Sequence, residues 1–320
     1  MHRLSLLGLG LLLLLAATPA GTLAEERPAD TLRMALVNIK SLYSADDPAN
    51  LQKNLDRHLY FIDKAAAEGA EFIGFPEMSL SGYKCDKSMP FLKLDAPQVR
   101  ALAAKAAEKQ VYVSAGIAEI DEQGKCWDTQ FVIGPDGSLL GRHHKIWMTA
   151  EKVFQSEPGT EYTVVEVKGI KIGLFICADG SDFLNIQGLA DAGARIVYGS
   201  HANTTGGTIN GWYKFRQRFG GKFDGQLVEA DTSNQAGRAR VPSGGWCDHL
   251  NIYAALHNHA AYYNPQFDPP AGPAPPAGSW ASGAWFIGPD GATLAQMPAS
   301  SDRQDSQEFM LLQDIPLTTP

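Results

Sequence analysis

Two stretches of this chain occur twice, and in the same order. Glu68-Gly-Ala-Glu-Phe-Ile73 returns as Ala192-Gly-Ala-Arg-Ile-Val197, and Val132-Ile-Gly-Pro-Asp-Gly137 returns as Phe286-Ile-Gly-Pro-Asp-Gly291. The first pair reads as a helix end running into a buried strand, the second as a strand entering a turn built on Gly, Pro and Asp. Either echo alone would be weak, since turn motifs recur by chance. Matched in order, they predict two similar α/β halves. Each half must bury one apolar sheet face, and sheet-on-sheet packing with helices outside is the natural way to do it.

Local patterning agrees. Leu32, Met34 and Leu36 alternate with Arg33, Ala35 and Val37 as in a strand. Asp47-Pro48 opens a helix with Leu51, Leu55, Leu59 and Ile62 at helical spacing, and Gly69 is placed to stop it. A strand follows at 72–75, a helix at 96–109 and a strand at 111–120, before the turn at 134–137. Residues 264–278 hold six prolines and read as a surface loop, because proline can neither continue a helix nor pair in a central strand.

The first two dozen residues stand apart. Arg3, an apolar run from Leu6 to Ala17 and the small-residue site Thr22-Leu-Ala24 read as a signal peptide over 1–24. The expectation is a periplasmic or secreted protein with one domain over 25–320 and no stable membrane span after cleavage, the apolar run being short for one. A net charge of −8 argues against nucleic acid, which needs a basic face. The four cysteines are Cys85, Cys126, Cys177 and Cys247. With Cys177 kept as a thiol, either one bridge joins two of the others or all stay reduced; spacing does not choose.

Chemistry concentrates in three segments. Lys171-Ile-Gly-Leu-Phe-Ile-Cys-Ala-Asp-Gly180 lifts one thiol, Cys177, to a strand end. Phe75-Pro-Glu-Met-Ser-Leu-Ser-Gly-Tyr83 and Gly141-Arg-His-His-Lys-Ile-Trp147 each place one ionisable side chain, Glu77 and Lys145, just after a strand-like run. A lone apolar-flanked cysteine is usually a core residue, and a lone Pro-Glu or a lone lysine is usually solvated. Three such residues at three strand ends suit nucleophilic catalysis: a carboxylate raised by desolvation as base, a thiol, and an ammonium that favours thiolate and later steadies an oxyanion. On that reasoning the Cys177 thiol should have a depressed pKa and alkylate fast at mildly acidic pH.

In the order Glu, Lys, Cys these segments resemble the nitrilase superfamily of carbon–nitrogen hydrolases. The resemblance implies a four-layer α-β-β-α sandwich, with Cys177 as nucleophile, Glu77 as general base and Lys145 at the oxyanion. It also implies a second glutamate after the lysine, for which Glu151 is nearest, with Glu157 or Glu161 as alternatives. The backbone N–H of Ala178 would be a second oxyanion donor. No metal and no cofactor is needed. Trp147, Phe183 and Trp212, with Tyr213, are candidates to line a pocket, although aromatic residues so placed are often core.

Departures from the family pattern bear on substrate. Cys177-Ala-Asp-Gly180 is similar to aliphatic amidases and formamidases, whereas nitrilases tend to carry Trp-Glu after the cysteine. Ser181-Asp-Phe-Leu184 stands where a Pro-Glu is common, and Arg216, Arg218 and Lys222 where an acidic residue is usual; Asn234-Gln-Ala-Gly237 is similar to a family strand end. The reading is an amidase acting on a small-molecule amide. Its alternatives are a nitrilase or N-carbamoyl amidohydrolase, and a catalytically silent ligand-binding homologue. A homo-oligomer is implied by resemblance alone. Trp246-Cys-Asp-His249 and His257-Asn-His259 offer zinc-ligand types, but without a paired C-x-x-C or H-E-x-x-H they read better as the polar rim of a pocket.

Overall fold

The computed structural model describes residues 30–318 apart from 44–46, 84, 86, 88, 203–215, 217, 221, 224–225, 228–244, 260–282 and 298–307. The leader at 1–24, the proline-rich loop at 264–278, Trp212, Tyr213 and Asn234–Gly237 lie outside the described residues. Among the described residues, no helix is long and apolar enough to cross a membrane.

The first half runs β1 (Thr31–Asn38), α1 (Ala49–Ala67), β2 (Phe72–Gly74), α2 (Pro97–Lys109), β3 (Tyr112–Ile120), β4 (Cys126–Ile133) and β5 (Leu139–His144). The second runs β6 (Val164–Val167), β7 (Ile170–Ile176), α3 (Phe183–Asp191), β8 (Ile196–Ser200), the two-residue strands β9 (Lys222–Phe223) and β10 (Gln226–Leu227), a short helix Gly245–Leu250, β11 (Tyr253–His257), β12 (Ala284–Ile287) and β13 (Thr293–Met297). A last strand, β14 (Phe309–Pro316), returns to the first half.

The halves repeat in pairing as well as in order. One sheet runs β14-β1-β2-β3-β4-β5 and the other β6-β7-β8-β11-β12-β13. Read in those directions, both show the same succession of antiparallel, parallel, parallel, antiparallel and antiparallel neighbours. Both sequence echoes fall at equivalent places. The first leads into β2 and β8, second of the parallel strands in each sheet. The second leaves β4 and β12, and each strand has its register irregularity there, at Val132/Ile133 and Phe286/Ile287. The two Gly-Pro-Asp-Gly turns then close alike: Gly137 N–H donates to Gly134 O and Gly291 N–H to Gly288 O, both at 2.9 Å. Their last glycines take φ of 81° and 76°, a conformation that costs a residue with a Cβ.

Three apolar layers define the stacking. Leu32, Met34 and Leu36 of β1 meet Ile172 and Leu174 of β7 and Tyr198 of β8 between the sheets. The other face of β1, through Ala35 and Val37, packs under Phe61 and Ile62 of α1 and Leu102 and Ala106 of α2. On the far side, Val197 and Leu256 pack under Ile186 and Leu189 of α3 and Trp246 of the short helix. This is the expected α-β-β-α sandwich. Because β1 and β8 are covered on both faces, they read as nearly continuous apolar runs rather than strict alternation.

Candidate active site

Three strands end at one place. Glu77 follows β2, Lys145 follows β5, and Cys177 follows β7, so two of the groups come from one sheet and the third from the other. The Lys145 ammonium, fully buried, hydrogen-bonds Glu77 Oε1 and lies 2.6 Å from Glu151 Oε1. Cys177 sits within electrostatic reach of Glu77, Lys145 and Glu151, and the backbone of Ala202, just past β8, hydrogen-bonds it. The structure thus brings Glu77, Lys145, Cys177 and Glu151 together in one cluster. Of the alternatives for the second glutamate, Glu157 is exposed and paired with Lys125 at 2.7 Å, and Glu161 is exposed.

Backbone geometry explains how each group is presented. Cys177 has φ of 45°, a left-handed conformation that a non-glycine residue holds only when its surroundings enforce it, and it opens the 3-10 helix Cys177–Ser181. The Ala178 N–H lies in the first turn of that helix, where amides lack intrahelical partners and point outward. Met78, next to Glu77, has φ of 48°. That turn lies so close to β3 that a Cβ at Gly116 would come within 2.2 Å of Met78 N.

Several residues with no role assigned from sequence hold the cluster. Asp179 accepts from Ile176 N (3.0 Å), Ile146 N (3.0 Å) and Trp147 N (2.6 Å) and lies 3.0 Å from His143 Nε2. One carboxylate thus ties the nucleophile turn to the segment carrying Lys145. Glu151 accepts from Tyr83 OH and, through Oε2, from Thr149 N at 2.7 Å and Thr149 Oγ1 at 3.0 Å. His259 Nε2–H donates to the Glu77 carbonyl at 2.8 Å. Tyr83 and Asp179 stood inside the quoted motifs, so their positions were visible although their partners were not. Asp128, also beside Lys145, gave one signal: an acid in the apolar strand run 126–133.

The electrostatics correct one expectation. Burial raises the Cys177 thiol well above its ordinary pKa, the Glu77 and Glu151 charges raise it further, and Lys145 only partly offsets them. The ammonium was expected to favour thiolate, but it is outnumbered by carboxyls in a water-poor site. Burial also raises Glu77, against the pull of Lys145. Burial works against Glu151 too, yet the Lys145 charge and the hydrogen bonds from Lys145 and Tyr83 bring it down to about 2. Lys145 is penalised by burial, but its acidic neighbours hold it well above the usual lysine value. The resting site is a protonated thiol facing a carboxyl–ammonium network.

Other expectations fare differently. Phe183 turns away: its ring packs on Trp246 and His249 in the layer outside the second sheet, because α3 directs it there. Trp147 is half-buried two residues from Lys145. All four cysteines are free, which leaves the fully reduced alternative. The residues weighed for zinc do not converge: Cys247 packs in the outer layer, while His257 Nδ1–H donates to Val37 O at 3.1 Å. Among the described residues, the acidic group with metal-like spacing is Glu77, Asp128 and Glu151, and Lys145 supplies the cation at its centre.

A family model described as carbon-nitrogen hydrolase matches residues 33–223 of the 320. The chain belongs to the carbon–nitrogen hydrolase family. The chain is 28% identical over 188 residues to omega-amidase NIT2 of Mus musculus, a match covering 55% of the chain and 66% of that relative. It is 30% identical over 139 residues to cyanide hydratase of Aspergillus niger, covering 39% of each. The matches thus span just under two thirds of the first relative and about two fifths of the second. Among solved structures it is similar to the amidase from Nesterenkonia sp. AN1, in a variant with the acetamide moiety of fluoroacetamide on its active-site cysteine. There the TM-score is 0.66 at 17% identity, covering 92% of this chain and 94% of that one. A glutamine-dependent NAD+ synthetase from Acinetobacter baumannii gives 0.66 at 15% identity, covering 89% of this chain and 45% of that one. At such identities the structural likeness shows the fold, an α/β sandwich of two similar halves.

Proposed function

We propose that this hydrolase is an exported, cysteine-dependent amidohydrolase that cleaves a non-peptide C–N amide bond through a thioester. The observation that carries the reading is the buried Lys145 ammonium joined to both Glu77 and Glu151 beside the Cys177 thiol. The amidases among its relatives support an amide as the substrate class.

Each step has a group to perform it. Glu77, raised by burial, takes the thiol proton as Cys177 Sγ bonds to the amide carbon. The developing oxyanion is met by Lys145 and the Ala178 N–H. Glu77 then returns the proton to the departing amine or ammonia, leaving a thioester. Water attacks the thioester, Glu77 takes a proton from it, and the thiol is re-formed as the acid leaves. Glu151, already ionised and held by Thr149 and Tyr83, fixes Lys145 rather than exchanging protons.

The reading extends to export through the leader at 1–24 and to a homo-oligomer, both resting on the sequence argument. Ammonia release by the mature protein from short amides, nitriles and N-carbamoyl amino acids, run beside Cys177→Ala, tests the activity. Release from amides that falls by at least about 10³-fold in the variant is expected. Release from nitriles alone would move the protein to the nitrilase reading, and no release from any class would leave a ligand-binding homologue.

A further inference from the structure

Four ionisable side chains meet in this site with almost no exposure: Glu77, Asp128, Glu151 and Lys145. One carboxyl oxygen from each of the three acids lies within 4.8 Å of the other two, around a single ammonium. Fully ionised, they would bury two uncompensated negative charges, which the low dielectric makes prohibitive. One carboxyl must therefore hold a proton. Which one follows from the donors each receives.

Glu151 accepts from Lys145, Tyr83 and both the backbone and hydroxyl of Thr149, so its charge is well met. Glu77 Oε1 accepts from Lys145. Asp128 has only Lys145 Nζ at 3.4 Å from Oδ2, beyond a strong hydrogen bond. Neither of its oxygens, nor Glu77 Oε2, has a hydrogen-bond donor among the described residues. A buried anion left without donors is costly, whereas a protonated carboxyl next to an unserved carboxylate oxygen satisfies both. Nor can Asp128 swing away. It sits mid-strand in β4, its N–H donates to Gln155 Oε1 at 3.0 Å, and its carbonyl accepts from Lys145 N at 2.9 Å.

We propose that Asp128 holds a proton at rest and donates it in a hydrogen bond to Glu77 Oε2, making Asp128 a positioning residue for the general base. Burial and the Glu77 charge raise the Asp128 carboxyl well above the usual carboxylate range, with Lys145 opposing, which agrees with the geometric assignment. The bond from Asp128 in turn restrains the rise of Glu77, keeping it ionised and able to accept the thiol proton. The Asp128 proton stays where it is throughout; the proton that moves is the thiol's, to Glu77. Around the pair stand Lys145, Glu151, Tyr83, Cys85 and Cys177, of which Lys145 is the cation.

The catalytic consequence rests on the amidohydrolase reading, but the proton itself does not. Infrared difference spectra between wild type and Asp128→Asn at neutral pH read it without turnover. A protonated-carboxyl carbonyl band present in wild type and gone in D128N is expected. Its absence from wild type, or its persistence in D128N, overturns the proposal. On an amide substrate, the Asn side chain still donates to Glu77, so D128N should keep kcat within about threefold and its acidic limb within about half a pH unit. Asp128→Ala removes the donor and should move that limb up by about one unit or more, with a fall in kcat rather than a rise in KM. A limb that moves down by a unit in D128N would mean that a charge had been removed, and overturns the assignment. If wild type shows the band yet turns over no amide, the activity reading falls and the Asp128 proton stands.

Discussion

Glu77 bears on Cys177 in two opposed ways. Its charge raises the thiol's pKa, so at rest it suppresses the thiolate; in the proposed reaction it is also the base that takes the thiol proton. Glu77→Gln should separate the two effects. The pH midpoint for Cys177 alkylation should fall, because a negative neighbour has gone, while kcat falls by about 10²–10⁴-fold, the usual size of a lost general base. A midpoint that rises, or turnover that survives, would remove Glu77 from the role. The chemistry-bearing residue types were visible in the chain because strand ends stand out as an apolar run followed by one ionisable group. The direction of the thiol's pKa was not visible, because it depends on how many carboxyls share one buried ammonium. Asp128 and Glu151 reach that ammonium from β4 and from the 3-10 helix Ala150–Val153.

At the level of elements, the turn carrying Glu77 leans on β3 with no room to spare. Gly116 pairs with Gln130 of β4, and a Cβ there would stand 2.2 Å from Met78 N and 2.9 Å from Pro76 O and Gln130 Oε1. Backbone cannot yield as a side-chain tip can, so Gly116→Ala must push the turn outward. A loss of about 1–3 kcal/mol in stability is expected from the overpacking. A fall of about 10²-fold in kcat should accompany it, since Glu77 is displaced by a fraction of a turn. Thermal unfolding and steady-state kinetics on one preparation check both; G116A with wild-type values in each would show that the turn is not braced by β3. The strand itself was read from the sequence to within a residue, as was α1 with its stop at Gly69, φ 78°. Its glycine gave no hint of purpose, because what crowds it comes from a turn nearly forty residues earlier.

Four buried histidines serve the two halves differently: His257 and His259 meet the carbonyls of Val37 and Glu77 across the sheets, whereas His58 meets Asn54 O within α1 and His201 meets His257 O within its own half. Burial lowers His58 and His259 to about 4 and His201 and His257 to about 3, below the ordinary 6.5. Between those values the unfolded chain binds protons the fold refuses, so stability is complete above pH 6.5 and is lost as pH falls. Glu77 and Asp128, raised in the fold, oppose this by at most about two protons, so the net uptake on unfolding grows from at most about two near pH 6.5 to roughly two to four toward pH 4.5. Stability should then fall gently near pH 6.5 and steepen to about 3–5 kcal/mol per pH unit toward pH 4.5, with Glu151 adding its own loss below that. Denaturant midpoints measured across this range check it; a flat or rising profile toward acid would show that the histidines are not held neutral.

Period, turn chemistry and the two echoes are local properties, and the chain alone carried them: the strands at 31–37, 72–75 and 111–120, α1 and α2, the duplicated halves, and Glu77, Lys145 and Cys177 at strand ends, with Glu151 still one of three candidates. What only the tertiary structure decided depends on contacts between distant segments. β14 pairs along all of β1 from the other end of the chain. His257 and His259, which sequence would as soon place in a pocket rim, hold the carbonyls of Val37 and Glu77 across the sheets. Phe183 belongs to the outer layer. The protonation of the site is likewise settled by how many charges converge on Lys145, a sum over four separate segments that no single stretch of sequence contains.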